Sequence, residues 1–249
     1  MTTFKDLFSH HATDYARFRP HYPPELFAWL AGLSPGRALA VDVGSGNGQA
    51  AAALGQDFDQ VIAVDPSAEQ IANAPVAPAG TVSYRKGTAE CLPVDSGTAD
   101  LVVAAQAFHW FKPEPFFAEV RRVLRPCGHL AVWCYGLATI TPELDALVHE
   151  LYETRLGPSW EPERRLVETG YSGVAFPFTE LTPPRFDMRL AWTFDHLVGY
   201  LGTWSALKRH LQTWGDNPLE DMVPRLAQAW GKPRERKVLW PIHVRAFRL

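Results

Sequence analysis

The sequence predicts an α/β protein with a Rossmann-like, mostly parallel sheet and helices on both faces. Three observations carry that prediction. The apolar run Ala38-Leu39-Ala40-Val41 leads into a glycine turn, Gly44-Ser45-Gly46-Asn47-Gly48, which an alanine-rich helical stretch follows. Apolar runs then alternate with helical stretches as far as Tyr135, and unbroken apolar strands suit a parallel sheet covered on both faces. Beyond residue 136 the alternation stops and a helical, partly irregular half begins.

The first elements precede the glycine turn. Phe8, Ala12 and Tyr15 fall at i, i+4 and i+7, one face of a helix that Pro20 ends. Glu25 to Leu33 reads as a second amphipathic helix. The first strand, at 38–41, runs into the turn, and Gln49 to Leu54 is helical because alanine has the best helix propensity. Bare backbone N–H groups and the positive end of a helix dipole favour an anion there. Asp42 stands two residues ahead of Gly44. A second strand, Val61 to Val64, ends in Asp65, seventeen residues after Gly48. A carboxylate in that place can accept hydrogen bonds from both hydroxyls of a ribose. The spacing is G-x-G-x-G; a G-x-G-x-x-G dinucleotide fingerprint needs glycine at 49, where Gln49 stands.

Residues 81 to 86 read as a third strand, followed by the loop Gly87 to Pro93. The fourth, Asp100 to Ala105, runs into Gln106-Ala107-Phe108-His109-Trp110-Phe111. Ligands of open α/β sheets lie beyond the carboxyl ends of the strands, so this loop should border the bound molecules. His109 is the best general-base candidate, with a reference pKa of about 6.5. A helix over Phe116 to Leu124 ends at Arg125-Pro126-Cys127-Gly128, and the fifth strand is His129 to Tyr135. Thr141 caps the next helix, with Pro142 at its first position. Residues 157–187 read as an irregular cap. Arg189 to Trp192 suggests a sixth strand, with helices near 194–202, 205–213 and 218–230 and a closing strand from Val238 to Phe247.

Bulk properties narrow the function classes. With 249 residues and 47% hydrophobic content, the chain can bury a sizeable core. The net charge of −3 argues against general nucleic-acid binding. No apolar run approaches the ~20 residues of a membrane span, and the opening residues lack a signal peptide's apolar core. Cys91, Cys127 and Cys134 have no CxxC spacing, which favours reduced thiols in a cytoplasmic enzyme. Adjacent His10 and His11, with His21, have no carboxylate cluster beside them, so no metal is expected. Eight of the nine tryptophans lie after residue 100, which suits an aromatic-lined acceptor cavity if they are not simply core. Lys232, Arg234, Arg236 and Lys237, interrupted by Glu235, read as a solvated loop.

The stretch Val41 to Gly48, together with Asp65, resembles the class I S-adenosylmethionine-dependent methyltransferases. Gly87-Thr88-Ala89-Glu90-Cys91-Leu92-Pro93 is similar to that family's G-D-A-E-x-L-P loop beside the adenine, with Thr88 where Asp is frequent. Arg125 to Gly128 resembles its L-K-P-G-G turn, with Cys127 replacing the first glycine. Phe8, Ala12, Tyr15 and Arg19-Pro20-His21-Tyr22-Pro23 resemble the opening of a type 11 subgroup that includes enzymes similar to trans-aconitate methyltransferase, and Ala107-Phe108-His109-Trp110-Phe111 resembles its A-x-H-W-F segment. The resemblance implies a seven-stranded sheet with an antiparallel final strand, plus helical caps at the N-terminus and in the C-terminal half. It further implies one domain: an N-terminal cofactor lid at 1–35, a cofactor-binding core at 36–136, a cap insertion at 137–187, and closing strands and helices at 188–249.

The implied cofactor is S-adenosyl-L-methionine, and the implied reaction is transfer of its methyl group to a small molecule, with carboxylate or hydroxyl oxygen favoured. Expected cofactor contacts are Tyr15, Arg19, Asp42, Gly44, Ser45, Gly46, Gly48, Asp65, Pro66, Thr88, Ala89, Glu90 and Gln106. Ala89 would offer its backbone N–H to adenine, and Arg19 can bind a carboxylate bidentately. His109 is the candidate base. The expected partners are the acceptor and at most a second copy of the chain, with neither nucleic acid nor membrane. Two other functions stay open: an NAD-dependent oxidoreductase, and a non-catalytic protein that binds the methyl donor.

Overall fold

A computed structural model describes residues 18–74 and 80–249. The expected helix carrying Phe8, Ala12 and Tyr15, and the pair His10 and His11, lie outside the described residues.

Five parallel strands form the heart of the sheet: β1 (Leu39–Val43), β2 (Gln60–Asp65), β3 (Val82–Lys86), β4 (Ala99–Ala105) and β5 (Leu124–Tyr135). The last strand, β8 (Arg236–Arg248), pairs antiparallel with β5, as Tyr135 opposite Ile242 and His129 opposite Arg248. The order is β3-β2-β1-β4-β5-β8, with β6 (Thr179–Leu181) and β7 (Phe186–Trp192) both paired to β8. The strands therefore number eight where seven were expected. The extra one has a plain cause. β6 and β7 follow one another along the same edge of β8, interrupted at residues 182–185, where Pro183 and Pro184 have no N–H to give a ladder. The seven sheet positions are thus kept, with the outermost divided in two. The segment expected to be irregular also holds a short helix, Arg164–Glu168.

The alternation of side chains along the strands creates two apolar layers. Leu39, Val41 and Val43 of β1, with Val102 and Leu130 of its neighbours, bury against Phe116, Phe117 and Val120 of the helix Pro113–Val123. On the other face Ala40, Ala63, Val103 and Trp133 join Leu26, Phe27 and Leu30 of α1 (Pro24–Leu33) and Ala50, Ala51 and Leu54 of α2 (Gln49–Leu54). The alanines of α2 are small enough to bring its backbone close to the strands. Trp133 and Trp240 have no exposed surface. At about 25 cal/mol per Å², burying ~200 Å² of tryptophan contributes on the order of 5 kcal/mol each.

The C-terminal half covers this second face. Thr141 Oγ1 accepts the Leu144 N–H at 3.4 Å and starts the helix Pro142–His149, which continues as a π-helical turn, Glu150–Arg155. Helices Phe194–Gly202, Ser205–Trp214 and Pro218–Trp230 lie close to where periodicity placed them. Among the described residues, no helix is long and apolar enough to cross a membrane.

Candidate cofactor and acceptor site

The order β3-β2-β1-β4 reverses direction at β1, so β1 and β4 diverge in their connections and leave a crevice beyond their carboxyl ends. The glycine loop fills the base of it. Gly44, Gly46 and Gly48 have φ of 70°, 54° and 82°, the left-handed region that glycine enters without cost. Two of them also allow close approach. A Cβ on Gly44 would lie 2.6 Å from Ala107 Cβ, and one on Gly48 would meet the Tyr84 ring, 2.7 Å from its Cε1. Among the described residues, a Cβ on Gly46 would meet nothing within 4 Å. The middle glycine therefore faces open space.

Two carboxyl groups flank the loop. Asp65, at the end of β2, accepts the Gly46 N–H on Oδ2 and the Ser67 N–H on Oδ1, each at 2.8 Å. It orders the loop through both carboxylate oxygens. Asp42 is completely buried, and no hydrogen bond of ordinary geometry reaches either of its oxygens. Burial raises its pKa to about 7; the Ala51 amide restrains the shift and the Asp65 charge adds to it. Ser45 Oγ is likewise buried without a hydrogen-bond partner. Pro66 is half-buried beside Asp65.

At the next loop Thr88 is exposed, Ala89 is 5% exposed, and Glu90 Oε1 accepts the Lys112 N–H at 3.0 Å. Glu90 therefore ties the loop after β3 to the start of the helix after β4.

The structure gives three of the expected residues particular surroundings. Gln106 was expected among the cofactor contacts, and both ends of its side-chain amide are engaged. Nε2 donates to the Tyr135 carbonyl (3.1 Å) and Oε1 accepts the Tyr135 N–H (2.9 Å), clamping β4 to β5. The clamp holds Gln106 at a left-handed φ of 54°, a strained conformation for a side chain. His109 was expected to titrate near neutrality as a base. It is 6% exposed, with Nδ1 3.1 Å from the Tyr171 hydroxyl. Burial, with a contribution from the Arg164 charge, lowers its pKa to about 3, which makes it a weak base. Arg19 is partly buried: its guanidinium is 3.4 Å from the Tyr135 hydroxyl and 5.4 Å from the Tyr200 ring centroid. The segment after it is tied to the glycine loop, because Gln49 Nε2 donates to the Pro20 carbonyl at 3.0 Å. Tyr15 lies outside the described residues.

A chain of mostly buried aromatic rings runs from the helix Phe194–Gly202 to the π-helical turn Glu150–Arg155. The rings of Tyr200 and Trp204 are 6.1 Å apart, Trp204 and Trp160 5.6 Å, and Trp160 and Tyr152 4.6 Å. Arg164 packs on these rings, 5.2 Å from the Trp160 centroid, and its Nε donates to the Tyr152 hydroxyl at 3.2 Å. The concentration of aromatics and arginines between 152 and 164 was their signal in the sequence. Among the described residues no group of three or more His, Cys, Asp or Glu could hold a metal.

Comparison with known proteins agrees with this geometry. The pattern of a methyltransferase domain matches residues 41–132, from β1 through β5. A candidate methyltransferase of Dictyostelium discoideum is 34% identical over 233 residues, covering 92% of this chain and 88% of its own. An uncharacterized methyltransferase of Mycobacterium tuberculosis is 42% identical over 120 residues, 48% of each chain. The structure of a candidate type II methyltransferase from Anaeromyxobacter dehalogenans superposes with a TM-score of 0.85 at 44% identity, covering 93% of this chain and 98% of that one. The chain belongs to the class I S-adenosylmethionine-dependent methyltransferases. Its cofactor is S-adenosylmethionine, which sets the NAD-dependent reading aside.

Proposed function

We propose that this methyltransferase acts on an oxygen atom of a small-molecule acceptor held beyond the carboxyl ends of β4 and β5. The cofactor, when bound, supplies a methyl group already activated on a sulfonium. In the transfer the S–CH₃ bond breaks with its electron pair going to sulfur, as an O–CH₃ bond forms. The products are S-adenosylhomocysteine and, from a carboxylate, a methyl ester, or, from a hydroxyl, a methyl ether with its proton released to water. The protein's task is alignment, which can contribute on the order of 7–11 kcal/mol.

The chain's own residues fit that cofactor. Gly46 leaves open space in the loop, where a Cβ would stand. Among the described residues, the buried Asp42 oxygens have only the Ala51 amide nearby and Ser45 Oγ has no hydrogen-bond partner, which suits a ligand that brings its own positive charge and donors. In this reading Asp42, Gly44, Ser45, Gly46 and Gly48 cradle the methionine end, Asp65 and Pro66 the ribose, and Thr88, Ala89 and Glu90 the adenine. Gln106 contributes backbone, since its side chain is engaged with Tyr135. Arg19 and Tyr15, on the 1–35 lid, close over the methionine. The remaining divisions, core 36–136, cap 137–187 and closing elements 188–249, act as one domain. The likeness of the opening to the trans-aconitate methyltransferase subgroup belongs to the same reading, as does a cytoplasmic setting, supported by three cysteines free of disulfides.

The observation that carries the preference for oxygen is His109. With a pKa of about 3 it is poorly suited to removing a proton from an amine or phenol. A carboxylate is already ionised at neutral pH and needs no base, so it comes first and a hydroxyl second. The test is product formation from deuteromethyl-labelled S-adenosylmethionine against matched carboxylic acids, phenols and amines. Labelled methyl esters are the expected products. Labelled amines alone would overturn the oxygen preference, and no transfer to any acceptor would favour a non-catalytic binding protein.

A further inference from the structure

A dinucleotide fingerprint requires glycine at 49, and the side chain that stands there instead is engaged. Gln49 is the first residue after Gly48, so its position follows that of the glycine loop. Its Nε2 lies 3.0 Å from the Pro20 carbonyl oxygen and 2.9 Å from His21 Nδ1. A carbonyl oxygen only accepts, which assigns the amide nitrogen, and not its oxygen, to this side. The two amide hydrogens then serve two acceptors, and the His21 ring carries its own hydrogen on Nε2. A glycine at 49 could form neither bond.

The segment held in this way reaches across the carboxyl ends of three strands. Gln49 follows the loop after β1 and Tyr135 ends β5, with β4 between those two strands. That separation is two strand spacings, about 10 Å, which three extended residues can cover. From the same segment Arg19 Nη1 donates to the Tyr135 hydroxyl at 3.4 Å, and Nη2 to the Thr203 carbonyl at 3.5 Å. The Tyr22 ring lies 5.5 Å from that of Trp133 and 6.3 Å from that of Tyr135. Phe18 fills the space over Gly199, where a Cβ would lie 2.5 Å from its Cε1, and meets the His196 ring edge-on at 5.3 Å. Residues 18–22 are thus seated on β5 and on the helix Phe194–Gly202, and Gln49 ties the same residues to the glycine loop.

We propose that Gln49 is a positioning residue for the cofactor: its amide fixes residues 18–22 across the crevice, so that a molecule seated in the glycine loop is retained by a segment the loop itself holds. The assignment deepens the proposed function and rests on its placement of the cofactor between that loop and Arg19. Ligand in the loop and order in the segment are then linked, and each favours the other. The effect falls on release, because the ligand leaves once the segment lifts and Gln49 opposes the lifting.

The test is the rate of S-adenosylhomocysteine release from the full chain, by stopped-flow fluorescence, together with hydrogen exchange of residues 18–22 in the free and bound protein. Gln49→Met keeps the length of the side chain and removes both donors, whereas His21→Leu removes one acceptor. Gln49→Met should release the ligand about fivefold faster than wild type or more, and should lose the protection that the ligand confers on residues 18–22. His21→Leu should change both in the same direction by less. The double variant should match Gln49→Met, since the two side chains act through one amide. Urea unfolding of the ligand-free proteins shows which of them are folded. Equal release from wild type and folded Gln49→Met would overturn the assignment, as would fully additive effects in the double variant. A lower urea midpoint with release unchanged, the mark of a merely structural bond, would overturn it too. Should Gln49→Met not fold, unchanged release from folded His21→Leu decides against it in the same way. Failure of wild type to bind S-adenosylhomocysteine would instead overturn the cofactor placement beneath it, and the role of Gln49 with it.

Discussion

The Asp65 carboxylate accepts the backbone N–H of Gly46 at 2.8 Å, joining the end of β2 to the middle of the glycine loop. One side chain thus shapes the loop and, in the proposed function, also holds the ribose. Replacing it should act on both. Asp65→Ala leaves the Gly46 and Ser67 amides without their acceptor, a stability loss of about 1–3 kcal/mol. It should also weaken S-adenosylhomocysteine binding at least tenfold. Asp65→Asn, which keeps one acceptor oxygen, should fall between in both urea unfolding and calorimetry.

The glycines separate loop conformation from ligand space. Gly46→Ala meets no neighbour and carries only the left-handed strain of φ 54°, about 1–2 kcal/mol. Its methyl group would enter the space assigned to cofactor, so affinity should fall more than stability does. Gly48→Ala drives a methyl group into the Tyr84 ring, and its stability should fall more. Thermal unfolding with and without S-adenosylhomocysteine distinguishes the two patterns.

Asp42 predicts a pH effect of definite sign. Its pKa is raised by burial to about 7, so the folded state prefers the protonated form. The stability associated with that form is complete below the ordinary carboxylate range, near pH 4, and is lost as pH rises towards 7. Asp42→Asn should remove this decline, seen in urea unfolding across pH 4 to 8. A positively charged ligand favours the ionised form. Binding to wild type near pH 7 should therefore release about half a proton more than binding to the Asn variant, as measured in buffers of different ionisation enthalpy.

His109 predicts the opposite slope. Its pKa is lowered to about 3, so its contribution is present above pH 6.5 and is lost as pH falls towards 3. His109→Gln should unfold less steeply with acid across that window. If His109 is no base, the variant should also keep the wild-type pH profile of methyl transfer. Loss of an acid-side limb near neutrality would restore the base role.

Much of this was legible in local sequence. The glycine spacing, Asp65 at the end of an apolar run, and the Thr141 and Pro142 helix start depend on residues a few positions apart, and the structure has them where the pattern put them. What sequence could not supply were pairings across long separations. Gln106 meets Tyr135 twenty-nine positions away, and His109 meets Tyr171 sixty-two away. A histidine's type gives its reference pKa, but its burial comes from the assembled fold. The Pro183-Pro184 interruption was visible, but not that one edge strand continued on both sides of it.

The central claim is that the glycine loop, with Asp65, is the cofactor site. Parallel calorimetric titration of wild type and Asp65→Ala with S-adenosylhomocysteine, with NADH as the control, tests it most directly. The account predicts one-site binding of S-adenosylhomocysteine to wild type, at least tenfold weaker binding to the variant, and no binding of NADH. Equal affinity in a folded Asp65→Ala protein would contradict it.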